Sequence, residues 1–150
     1  MTANRQLSRP VQFRVRYSET DQMGTFYNSR ALEWFEVGRT ELLRELGGAG
    51  SYAEMEARGV MLPLVEAHVE YLGRARYDDE LSMSVSAGLC GRARVRFDVE
   101  IVHAATAAGV ARGYTVHAVT NGDGRPVRPP SWFTQALGAE WEEPSVGKDK

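Results

Sequence analysis

Only one long segment of this chain, from about Asn28 to Leu46, carries the 3.6-residue apolar period of an amphipathic helix, while five segments alternate with the period of a strand. That imbalance constrains the fold most. One helix cannot cover both faces of five strands, so the economical solution is an α+β layer, with the helix packed on one face of a sheet. The strand segments are VQFRVRY (11–17), VMLPLVEAHVEYL (60–72), LSMSVSAGL (81–89), RARVRFDVEIV (92–102) and a last one near Gly109–Thr120. In the third and fourth, Leu81, Met83, Val85, Ala87 and Leu89, and then Val95, Phe97, Val99 and Ile101, make buried faces. The last is expected to bury Tyr114, Val116 and Ala118, and Pro63 predicts an edge position or a bulge.

The helix sets Tyr27, Ala31, Phe35, Gly38, Leu42 and Leu46 on one stripe and Glu33, Glu36, Arg39 and Arg44 on the other side, with Gly47-Gly48 as a stop. Gly38 costs about 1 kcal/mol relative to Ala inside a helix, which predicts a sheet lying close against the helix backbone. A short helix is expected over Tyr52–Ala57, ended by Gly59, and Ser131 opens a last helical turn carrying Trp132, Phe133 and Leu137. Asn121-Gly122 and Asp123-Gly124 are turn signals. The organisation is a polar arm over 1–9, one domain over 10–138 and a flexible tail over 139–150.

The function classes narrow quickly. A net charge of −2 argues against a nucleic-acid binder. Cys90 is the single cysteine, which excludes an internal disulfide and fits a reducing compartment. The first ten residues, MTANRQLSRP, have no apolar run, and no stretch is long enough to span a membrane, so a cytoplasmic protein without a membrane partner is expected. His68, His103 and His117 lie far apart, so no metal site is expected. There is no G-x-S-x-G elbow.

What stands out instead is YSETDQMGTFY (17–27), which sets Asp21 in a glycine-bearing loop between strand and helix. On local pattern alone Asp21 reads as an Asx-turn acid. The same position also puts a carboxylate beside the unpaired N–H groups of a helix N-terminus, which can polarise a substrate oxygen.

The spacing of Asp21, Gly24, Tyr27 and Arg39, with E-T-D-x-x-G at the loop, resembles the 4-hydroxybenzoyl-CoA thioesterase family, and most closely its small bacterial branch. The likeness continues through 60–83, 92–102 and 109–130. It implies the hotdog fold, a long central helix wrapped by a five-stranded antiparallel sheet, and hydrolysis of an acyl-CoA to a carboxylic acid and CoA. It implies no cofactor, and a homodimer or homotetramer as the working unit. Asp21 then serves as nucleophile or general base. The resemblance puts the oxyanion donor at the backbone N–H of Asn28.

Relatives carry His or Tyr where this chain has Asn28, and Asn exchanges no proton near neutral pH. Its side chain reads as a helix N-cap. Gly24 and Tyr27 are expected to border the thioester, and Glu66 reads equally as a substrate contact or a solvent-facing strand residue. Arg92, Arg94 and Arg128 are the candidates for gripping CoA phosphates. A non-catalytic acyl-CoA-binding or regulatory protein is the first rival. A hydratase is the second, although Asn28 and Arg30 stand where its His is expected.

Overall fold

The computed structural model describes residues 6–7, 9–46 and 49–137. The Gly47-Gly48 stop, the tail from 139 and most of the N-terminal arm lie outside the described residues. The strands are β1 (Gln6–Leu7), β2 (Val11–Arg14), β3 (Leu64–Tyr71), β4 (Glu80–Leu89), β5 (Arg94–His103) and β6 (Gly109–Ala118). The helices are α1 (Arg30–Glu45), α2 (Tyr52–Ala57) and α3 (Ser131–Leu137). All strands join one antiparallel sheet in the order β1-β4-β5-β6-β3, with β2 also on β4. Gln6 faces Ala87 and Val11 faces Met83, so β1 and β2 share one edge and the sheet is five strands wide.

The helix packs on one face. Ala31, Trp34, Phe35, Leu42 and Leu43 bury against Leu81, Met83, Val85 and Ala87 of β4 and Val95, Phe97, Val99 and Ile101 of β5. Full burial of each large side chain stabilises by roughly 1.5–3 kcal/mol. Gly38 explains the close fit: a Cβ there would lie 2.7 Å from Val85 Cγ2 and 2.9 Å from Met83 Sδ. Of the expected stripe, only Tyr27 lies outside, half exposed before α1 begins.

Two local expectations need correction. Residues Tyr17–Glu19 form a turn of 3-10 helix, so β2 stops at Arg14 instead of running to Tyr17. In β6 the expected face holds only in part: Val116 is buried, but Ala118 is half-buried and Tyr114 lies on the outer face against Glu66 and Arg96, while Thr115 and His117 on the opposite face are buried with Ala111. His117 is tolerated because both ring nitrogens are satisfied. In its neutral form Nδ1–H donates to the Leu62 carbonyl at 2.9 Å, and Nε2 accepts from the Thr115 hydroxyl at 3.0 Å.

β3 is the other edge, and a bulge lies between Leu64 and Glu66. Three of its apolar side chains stay in solvent, Leu64 53% exposed, Val65 47% and Tyr71 51%, while Val69 packs against the core. Among the described residues, no helix is long and apolar enough to cross a membrane.

Candidate active site

The Asp21 loop is a small, heavily bonded hairpin. A bridge between Thr20 and Phe26 closes it, the Asp21 N–H donates to Thr25 O at 2.9 Å, and the Gly24 N–H donates to Asp21 O at 3.1 Å. Gly24 has φ +78°, in the left-handed region where L side chains are strained, and open space surrounds it, so backbone shape alone requires glycine. The segment after β3 holds the hairpin from the side. Phe26 N–H donates to Ala75 O at 2.9 Å, Ala75 N–H to Thr25 Oγ1 at 3.0 Å, and Arg74 Nη2 to Met23 O at 3.1 Å.

Asp21 itself is half-buried, and its Oδ1 accepts the Met23 N–H at 2.9 Å. This is the Asx-turn of the local reading. Among the described residues Oδ2 accepts no bond, so one oxygen anchors the carboxylate and the other is available.

The returning chain leads straight into α1. Tyr27 N–H donates to Glu19 O at 2.7 Å, and Ser29 is the cap residue. Asn28 is therefore one position too early to be the N-cap, and no side-chain cap bond forms. Its N–H, exposed and without an acceptor among the described residues, lies at the positive end of a sixteen-residue helix. The Asn28 carbonyl accepts the Tyr71 hydroxyl at 2.7 Å.

Beneath the hairpin, Glu19 is 3% exposed. Its carboxylate accepts the Arg16 N–H at 2.8 Å, the Trp34 Nε1–H at 2.9 Å and Arg16 Nη2 at 3.1 Å. Burial raises its pKa, but these bonds outweigh it and hold the carboxyl below the ordinary value. No role for Glu19 or Tyr71 was read from the sequence; the signals were the acid that opens the E-T-D-x-x-G run, two positions before Asp21, and an aromatic at the end of a strand pattern.

The remaining expected residues lie elsewhere in the chain. Arg39 ties α1 to α2, its Nε donating to the Tyr52 hydroxyl at 2.8 Å. Glu66, near the start of β3, accepts the Tyr114 hydroxyl on the outer face. Arg92 and Arg128 line one open hollow of about 580 Å³ with Pro129 and Ser131, and Arg94 opens β5 beside it. That hollow is at the end of the sheet where β4 finishes. The Asp21 hairpin is at the other, beside the ends of β3 and β5, so a ten-residue strand, roughly 30 Å, separates them.

A helix wrapped by an antiparallel sheet, with an acid loop at the helix entrance, defines the hotdog class. The sequence model of the Thioesterase-like superfamily matches residues 15–137, and the chain belongs to that family. It is 45% identical over 65 residues to the Bacillus subtilis protein YneP, assigned provisionally as an acyl-CoA thioesterase; the match covers 43% of this chain and 46% of that protein. The chain spans about half the length of the curated relatives it matches, 46% and 50%.

Among solved structures it resembles a DHNA-CoA thioesterase from Staphylococcus aureus, with TM-score 0.73, 28% identity, and coverage of 81% of this chain and 80% of that one. A 1,4-dihydroxy-2-naphthoyl-CoA thioesterase from Synechocystis shares the fold, with TM-score 0.76, 22% identity, and coverage of 85% and 93%.

Proposed function

We propose that this chain hydrolyses an acyl-CoA thioester to a carboxylic acid and CoA. The observation that carries the reading is Asp21, with one carboxylate oxygen pinned by the Met23 N–H, on the hairpin that leads to Asn28; among the described residues neither its other oxygen nor the Asn28 N–H has a partner. Two routes use the same groups. As nucleophile, an Asp21 oxygen attacks the thioester carbon, the C–S bond breaks with loss of CoA thiolate, and water cleaves the mixed anhydride. As general base, Asp21 takes a proton from the water that attacks the carbon. In either route negative charge gathers on the former carbonyl oxygen, where the Asn28 N–H and the helix dipole stabilise it. The Asn28 side chain plays no proton-transfer part. The names of the relatives support the substrate class.

Gly24 and Tyr27 border the thioester in this reading. Arg92, Arg94 and Arg128 grip the CoA phosphates, but they lie too far from Asp21 within one chain. A second copy, paired two-fold across the bare β3 edge, would bring its opposite sheet end alongside the hairpin and its Glu66 towards the same cleft. Unpaired strand edges with apolar side chains favour such pairing. The working unit is then a homodimer or a dimer of dimers.

The test is thiol release from a panel of short, long and aromatic acyl-CoAs, together with a carrier-protein thioester, at equal concentration. Release from at least one, well above the uncatalysed rate, is expected. Tight binding of acyl-CoA without release would replace this reading with a binding protein, and hydration of an enoyl-CoA would replace it with a hydratase.

A further inference from the structure

Glu19 is a buried acid that the proposed chemistry does not use, and packing alone does not account for it. Replacing a buried ionic group with an apolar one of similar volume is often neutral or stabilising, so a charge here is weak evidence for a stability role. What the carboxylate supplies is reach. It accepts the Arg16 N–H, which fixes the start of the 3-10 turn, and the Trp34 Nε1–H, which fixes that turn to α1. Trp34 is itself wedged between aromatic rings, 5.1 Å from Phe13 and 4.8 Å from Phe26 by centroid. The Glu19 carbonyl completes the set by accepting the Tyr27 N–H from the returning strand. One residue therefore joins the chain entering the hairpin, the chain leaving it and the helix, two positions before Asp21.

We infer that Glu19 is a positioning residue: through Trp34 and Arg16 it sets the placement of the Asp21 carboxylate relative to the N–H groups at the entrance of α1. This rests on the reading of Asp21 given above. A shift of about 1 Å in a reacting group can cost on the order of a hundredfold in rate, so the clamp has leverage that its distance from the substrate conceals.

Two variants weaken this clamp from its two sides. Glu19→Gln keeps the size but loses one full acceptor, and Trp34→Phe keeps an aromatic ring but loses the donor. Each should lower kcat by about tenfold to a hundredfold, with KM for acyl-CoA held within about twofold. The double variant should lose little more than the worse single one, because the two act through one contact. Circular dichroism at the assay temperature checks that the measured chains are folded, and Trp34→Phe decides the matter if Glu19→Gln is not.

Folded variants with normal kcat, in an enzyme that Asp21→Asn inactivates, would overturn the role of Glu19 and leave Asp21 standing. Losses that merely track the unfolded fraction would also overturn it, leaving a structural acid. If Asp21→Asn itself keeps normal kcat, both readings fall together.

Discussion

The Tyr71 hydroxyl donates to the Asn28 carbonyl at 2.7 Å, which ties the end of the exposed edge strand to the entrance of the long helix. The oxygen belongs to the same residue whose N–H is the proposed oxyanion donor, so the phenol helps hold Asn28, and with it that N–H, in place. Tyr71→Phe removes one hydrogen bond at a half-exposed site, and folding should barely change. Losing about 1 kcal/mol of alignment predicts a fall in kcat of roughly fivefold with KM steady. An unchanged kcat would detach Tyr71 from the site.

Gly38 sets two effects against each other. Helix propensity alone predicts that Gly38→Ala stabilises by about 1 kcal/mol. The added methyl, however, meets Val85 Cγ2 at 2.7 Å and Met83 Sδ at 2.9 Å, and overpacking of this kind costs about 1–3 kcal/mol. The net expectation is a lower urea midpoint with an unchanged m-value. A raised midpoint would mean that β4 yields.

His117 makes stability depend on pH. Burial pushes its pKa down to about 4 from an ordinary 6.5, partly offset by its bond to Leu62 O, with the Arg39 charge adding to the fall. The folded state thus binds the proton more weakly than the unfolded chain. Stability from this group is complete above pH 6.5 and is lost as pH falls towards 4. Between pH 7 and pH 5 the loss should be about 2 kcal/mol. Glu19, held below its ordinary 4.5, adds its own loss only at lower pH. Urea unfolding at the two pH values measures the difference. His117→Gln should flatten the slope, and an equally steep slope in that variant would assign it to other groups.

The core was readable because periodicity reports apolar faces, and in α1, β4 and β5 the apolar face is the buried one. The last strand broke that rule. Val116 is buried as its type suggests, but Tyr114 is not, and Thr115 and His117 on the opposite face are buried because they satisfy each other and Leu62. The Asp21 loop was legible from its residue types, and so was its Asx-turn. The clamps around it were not. Glu19 meets Trp34 fifteen positions later and Tyr71 meets Asn28 across 43, and no local pattern encodes such contacts. Arg92, Arg94 and Arg128 were legible as candidate phosphate ligands near a sheet end, but that this end lies away from Asp21 depends on strand order, which no local pattern encodes.

That separation makes the shared site testable by mixing. An Asp21→Asn chain and an Arg128→Ala chain should each be weak below the raised KM. If sites are built from two copies, statistical mixing should return about a quarter of the normal sites. Arg128→Ala alone should raise KM for acyl-CoA more than it lowers kcat, and should leave a short thioester without the nucleotide nearly unaffected. No recovery on mixing, despite exchange of subunits, would contradict the two-copy site.

The most direct test of the whole account is the steady-state rate of Asp21→Asn on the best acyl-CoA of the panel. The amide keeps the volume and can still accept the Met23 N–H, so the hairpin should hold, but neither nucleophile nor base remains. The account predicts a folded protein whose kcat is lower by at least about a hundredfold. A folded Asp21→Asn chain turning over at a near-normal rate would contradict it.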